Sequence, residues 1–216
     1  MPVTSAPDDP IERPQRPREW TGAFRSVLLP LVILAGIVLG LWFFEFRDRG
    51  HAPPVERGIG IVQLPASRDA TGKPPAAEVG RAAPDFVLRR LDGTTVRLSD
   101  LQGHPVLINF WATWCPPCRQ EIPDLISAYD QLKASGVRFV GVDLQEPSQD
   151  VASFVREFGI DYDIVIDPGQ VSKVYHVSQQ IPTTYLVDSR GVVREIHPGP
   201  LTRAEVLAKL QALLQQ

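Results

Sequence analysis

The sequence predicts an α/β domain: a mixed central sheet flanked by helices, with an N-terminal β-hairpin extension, preceded by one transmembrane helix. Three observations carry this. Val27 to Phe44 is an 18-residue run without a charge. From Arg81 onward, short apolar runs alternate with amphipathic stretches, the pattern of strands and helices laid down in turn. Between one such strand and one such helix stands Trp114-Cys115-Pro116-Pro117-Cys118, which holds both cysteines of the 216-residue chain.

In chain order, residues 1–25 read as a short cytoplasmic segment and 26–44 as the anchor. At the helical rise, the charge-free run matches a hydrocarbon layer about 30 Å thick. Trp20 and Trp42-Phe43-Phe44 sit near its two ends, as interfacial aromatics do. A cleaved signal peptide fits less well. Its apolar core is usually shorter, the segment in front is long, and the small-x-small candidate Gly50-His51-Ala52 runs into Pro53. Arg13, Arg16, Arg18 and Arg25 precede the span while Arg47, Arg49 and Arg57 follow it, a slight excess that keeps the N-terminus in the cytoplasm. Residues 45–80, with Pro53, Pro54, Pro65, Pro74 and Pro75 among mixed charges, read as a hydrated linker. One short strand is conceivable within it, at Ile59 to Leu64.

Residues 81–216 suffice for one domain. Their 13 basic and 16 acidic side chains form no basic stripe, so no nucleic-acid partner is expected. Phe86 to Leu88 and Val96 to Leu98 flank Asp92-Gly93, a hairpin signal. Val106 to Trp111 is a buried strand, Arg119 to Ser135 a helix, Val137 to Val142 a strand and Asp150 to Phe158 a helix. Ile164 to Ile166 is a short strand, followed by a helical turn over 172–175. Thr183 to Val187 and Val192 to Ile196 make a hairpin around Ser189 to Gly191. Thr202 and Glu205 form a capping box opening a last helix, with Val206, Leu207, Leu210 and Leu214 inward.

Thiols at i and i+3 share one helix face, near enough to close a disulfide. A helix beginning at the first favours its thiolate. Strand, CxxC, helix is the context in which the motif means redox chemistry. Structural zinc usually needs four ligands, but His51, His104, His176 and His197 are scattered, so no metal is expected. Covalent haem attachment requires a histidine where Arg119 stands. A peroxidase-type cysteine is normally preceded by proline and Ser/Thr at the positions of Ile108 and Ala112. A Cu(I) site using both thiols and a distant histidine is chemically compatible but unsupported by spacing. A purely structural bridge would close too short a loop to constrain the unfolded chain.

The order of elements, with WCPPC at the first helix of the domain and Ile181-Pro182-Thr183 before a later strand, resembles the thioredoxin fold. More narrowly, the chain is similar to the membrane-anchored, extracytoplasmic thiol–disulfide oxidoreductases of bacteria, the TlpA/ResA type. The resemblance spans roughly 81–216 and rests on Ala83-Pro84-Asp85-Phe86, Asn109 to Cys115, Cys118-Arg-Gln-Glu121-Ile-Pro123, Ile181-Pro182-Thr183-Thr184 and Asp188-x-x-Gly191. It implies that Cys115 is the exposed attacking thiol and Cys118 the buried resolving one. It further implies that Pro182 is a cis-proline, whose preceding backbone at Ile181 pairs with substrate, with Thr183 beside it. Trp114 would shield one side of the sulfur. Glu121 matches a glutamate placed under the site, where a carboxylate raises thiol pKa values and shuttles a proton. Cytoplasmic thioredoxins carry a buried Asp in the preceding strand; here that position is Asn109, so Glu121 is expected to supply the ionisable partner.

The expected reaction is thiol–disulfide exchange with no cofactor beyond the Cys115–Cys118 disulfide. Pro116-Pro117 offers neither charge nor donor to the thiolate, which points to a reductant. The resemblance implies a disulfide-containing protein substrate, with apocytochrome c leading, and a membrane thiol transporter as electron donor. It places the protein in the bacterial cell membrane as a single-pass protein, with the C-terminal domain outside. A non-catalytic Cu(I)-binding assembly factor and a general disulfide oxidant stay open as alternatives.

Overall fold

The computed structural model describes residues 31–40, 58–177 and 180–215. The chain divides into two units, Met1–Pro54 and Val55–Gln216. In the first, residues 31–40 form helix α1, with Leu31, Ile33, Leu34 and Ile37 exposed. The rest of the anchor expected over 26–44 lies outside the described residues, as do the cytoplasmic segment 1–25 and the linker up to 57. Among the described residues no helix is long and apolar enough to cross a membrane.

The second unit is built on eight strands: β1 Gly60–Ile61, β2 Phe86–Arg90, β3 Thr95–Arg97, β4 Val106–Trp111, β5 Arg138–Leu144, β6 Asp163–Asp167, β7 Thr183–Val187 and β8 Val193–Pro198. They pair in the order β1-β2-β6-β5-β4-β7-β8, with β3 on β2. β4 runs parallel to β5 and antiparallel to β7, so the sheet is mixed. A central strand is covered on both faces, which explains why β4 reads as an unbroken apolar run. Leu107 and Trp111 enter one core, and Val106, Ile108 and Phe110 the other.

The first core is closed by α2 (Pro116–Leu132), α3 (Ser148–Phe158) and α5 (Arg203–Leu214). The second is closed by the short α4 (Val171–Val174) and the β2–β3 hairpin. α2 buries Cys118, Ile122, Leu125, Ala128 and Leu132, the three-and-four spacing of a helix lying on a sheet. It starts at Pro116, earlier than the Arg119 expected. Prolines are tolerated in a first turn, where no N–H is needed. α5 has the expected capping box at Thr202 and Glu205, but its buried stripe is Val206, Leu210 and Leu213. Leu214, expected inward, is exposed because 206, 210 and 213 already fill the face toward the sheet.

Within the linker expected over 45–80, residues 58–80 differ from a hydrated spacer. β1 pairs with Phe86 and Val87 of β2, Ala77 is buried, the Arg68 guanidinium donates to the Ser99 carbonyl, and Ala76 N–H donates to Ala82 O at 3.0 Å. β6 reaches only Arg89 and Arg90 of β2. The first half of β2 would otherwise leave its backbone groups open on that side, and β1 completes the ladder.

Candidate active site

β4 delivers the chain through Ala112, Thr113 and Trp114 to Cys115, which is the N-cap of α2 with extended backbone. Cys115 and Cys118 are joined in a disulfide, Cα atoms 5.3 Å apart. The Cys118 N–H donates to Cys115 Sγ at 3.3 Å. Pro116 and Pro117 have no N–H, so this donor is what the start of α2 offers the sulfur. Cys118 is fully buried. Cys115, expected to be exposed, is itself only 3% exposed. The correction has a geometric cause: Cys115 lies at the floor of a groove of about 630 Å³. Trp114, Pro117, Leu144, Gln145, Gln180 and Ile181 line this groove with it.

Trp114 is 66% exposed and stands at the rim beside the sulfur. The Ile181 carbonyl oxygen lies 3.9 Å from Cys115 Sγ, and the Ile181–Pro182 peptide bond is cis. Thr183 does not reach the groove. It is buried at the start of β7, and its hydroxyl donates to the Gln180 carbonyl at 2.7 Å. The groove therefore joins Trp114, Cys115 and Ile181, while Cys118, Glu121, Pro182 and Thr183 stand behind it.

Glu121 is 2% exposed, on the inner face of α2. Asn109 Nδ2 of β4 donates to Glu121 Oε1 at 2.8 Å and to Thr184 Oγ1 at 3.0 Å. The Leu201 N–H donates to Glu121 Oε2 at 3.0 Å. Burial pushes this carboxyl up to about 7, against the opposing pull of the Leu201 and Asn109 donors. Asn109 and Glu121 thus form one hydrogen-bonded unit across β4 and α2, with a carboxyl that titrates near neutrality.

Sequence reasoning passed over a second set of residues. Thr113 is fastened through all its polar groups. Its N–H and hydroxyl both donate to the Glu146 carboxylate at 2.5 Å, and its carbonyl accepts from Arg119 Nη1 at 3.2 Å. The Arg119 guanidinium lies over the rings of Phe154 and Phe158. Gln145, on the groove wall, has φ +62, and its side chain fits because position 169 is Gly, where a Cβ would come within 2.7 Å of it. An Arg directly after the second cysteine was the one available signal, and nothing in the sequence assigned it a partner at Thr113.

A strand, a CxxC disulfide capping a helix, and the carbonyl of the residue before a cis-proline facing the outer sulfur define a thioredoxin-fold thiol–disulfide oxidoreductase. The chain belongs to the AhpC/TSA family, which it matches over residues 79–196, more than half its length. It is 41% identical over 139 residues to the thiol-disulfide oxidoreductase ResA of Geobacillus kaustophilus, covering 64% of this chain and 79% of that relative. Among solved structures, it resembles a thiol:disulfide interchange protein of the thioredoxin family from Chlorobium tepidum. The TM-score is 0.58, with 28% identity and coverage of 66% and 98% of the two chains. StoA from Bacillus subtilis superposes with a TM-score of 0.52 at 29% identity, covering 57% and 94%. The protein is accordingly a thiol–disulfide oxidoreductase of the ResA kind.

Proposed function

We propose that this oxidoreductase is an extracytoplasmic disulfide reductase, held at the membrane by residues 26–44, that acts on a protein disulfide. The observation that carries the direction is the poverty of donors at Cys115: one N–H, from Cys118 at 3.3 Å, and two prolines that supply none. A thiolate so weakly held makes the dithiol form a good electron donor. The exposed apolar side chains of α1 support the anchor.

In the reaction, the Cys115 thiolate attacks one sulfur of the substrate disulfide. This forms a mixed disulfide and expels the other substrate sulfur as a thiolate. Cys118, deprotonated, then attacks Cys115 Sγ; the enzyme disulfide closes and the second substrate thiolate leaves. Two electrons pass from the enzyme dithiol to the substrate, and the two thiol protons end on the substrate thiols. Glu121, titrating near 7, is suited to take up and return the proton of the buried Cys118. The Ile181 carbonyl and the groove beside it receive the substrate backbone. An apocytochrome c CxxCH segment is the leading substrate, and a membrane thiol transporter the electron donor that restores the dithiol.

The test is the equilibrium potential of the Cys115–Cys118 couple, measured against dithiothreitol and glutathione buffers, alongside insulin reduction by the full chain. A value near the thioredoxin figure of about −270 mV is expected; one near that of strong oxidants, about −120 mV, overturns the direction of flow. Stoichiometric Cu(I) binding without insulin turnover would instead favour the copper-factor reading.

A further inference from the structure

Asp143, the last residue but one of β5, is fully buried, in register with Trp111 of β4 and Ile166 of β6. Its Oδ1 accepts the Glu146 N–H at 3.0 Å. Its Oδ2 is buried with no donor, and the Glu146 side chain is among the neighbours that raise the Asp143 carboxyl. A buried carboxyl with an unpartnered oxygen beside a second acid is stable when it keeps its proton. Glu146 in turn holds the N–H and hydroxyl of Thr113, two residues before Cys115.

We propose that Asp143 keeps its proton beside Glu146 and that the two act as positioning residues, tying the Thr113–Cys115 segment to the sheet and so setting how the sulfur is presented to the groove. The tie runs from the end of β5 to the loop carrying Gln145, which is also a wall of the groove. From there it passes through Glu146 to Thr113 and the N-cap cysteine. Arg119 closes the far side of Thr113, braced by Phe154, Phe158 and Glu157 of α3. A substrate strand pressing on Gln145 therefore presses on the residue that holds the cysteine loop.

The geometry also dictates a pH response. Burial first, and then the hydrogen bond to Glu146, raise the Asp143 carboxyl well above the carboxylate range. The other charged groups around the pair are Asp167 at the end of β6, satisfied by the N–H groups of Gln170, Val171 and Ser172, and Arg119 beyond Thr113. Apart from the Arg119 guanidinium, none of these supplies a positive charge to replace the Asp143 proton. Once it is lost, two adjacent carboxylates repel and the hold on Thr113 loosens.

The inference rests on exchange at Cys115, so the experiment reads the tie without requiring turnover. Amide hydrogen exchange of the Thr113-containing peptide and the rate of Cys115 alkylation by iodoacetamide are followed from pH 6 to 10. The proteins are the full chain, Glu146→Gln, Thr113→Val and Asp143→Asn, with thermal unfolding as the control for folding. In the wild type, amide protection is expected to fall at alkaline pH beyond the chemical rise in exchange. Asp143→Asn, whose amide donates to Glu146 and cannot ionise, flattens that fall. Glu146→Gln speeds exchange at Thr113 about tenfold already at pH 6 and shifts the alkylation profile. Thr113→Val, which lacks the hydroxyl but keeps the fold, shifts it in the same sense by less. An alkaline fall that persists unchanged in Asp143→Asn, or wild-type profiles in both Glu146→Gln and Thr113→Val, overturns the proposal. Wild-type protein that fails to reduce insulin yet shows these shifts counts against the reductase reading and leaves the tie standing.

Discussion

Glu121 was legible in the sequence as a side chain three residues beyond Cys118, one helical turn on. Its place under the site followed from the resemblance alone, and its partner was not legible, because it depends on where α2 lies over β4. The structure joins it to Asn109, the residue whose uncharged side chain had suggested that the ionisable group lies elsewhere. A carboxyl pushed up to about 7 from an unfolded value near 4.5 gives a definite sign. The folded state binds the proton more tightly than the unfolded one, so this contribution is fully present below pH 4.5 and is lost as pH rises through 7. Glu121→Gln removes that dependence. In urea unfolding, the stability of the variant relative to wild type should rise by about 2 kcal/mol between pH 5 and pH 8; a constant difference would show that Glu121 titrates normally. Asp143 and Glu146 were illegible for a physical reason. An acid at a strand end and another in the next loop read as solvated charges, and only the fold turns them toward each other.

At the scale of elements, the turn between β7 and β8 was readable as Asp188-x-x-Gly191. Asp188 Oδ1 accepts the N–H groups of Arg190 and Val192, both at 2.9 Å, and Oδ2 accepts Arg194 Nε at 2.7 Å. Gly191 has φ +82, and a Cβ there would come within 2.5 Å of the Gln102 side chain. Asp188→Ala would strand two backbone donors in a buried turn and should cost about 2 kcal/mol in urea unfolding. Cys115 alkylation should be unaffected, since Asp188 lies at the end of β7 remote from Pro182; a changed alkylation rate would contradict that separation. Where reading failed at this scale, a competing rule won. The two prolines were taken as preceding α2, whereas a first turn accommodates them, and Leu213 rather than Leu214 follows the stripe set by Val206 and Leu210.

For the molecule as a whole, the alternation of apolar and amphipathic segments fixed the sheet–helix layering, because each strand and helix carries its own periodicity. The boundary at 81 was drawn on composition, which marks polarity and not pairing; the short strand read at Ile59 to Leu64 forms as Gly60–Ile61 and completes β2. The central claim is that Cys115, at the floor of the groove, opens the exchange and Cys118 closes it. Both are nearly shut off from solvent, 3% and 0% exposed, so order of attack is a real test. The full chain carrying Cys118→Ala, reduced and mixed with a disulfide protein, should accumulate a covalent adduct that mass spectrometry places on Cys115, whereas Cys115→Ala should accumulate none. An adduct on Cys118 in the Cys115→Ala protein, with none on Cys115 in its counterpart, would contradict the account.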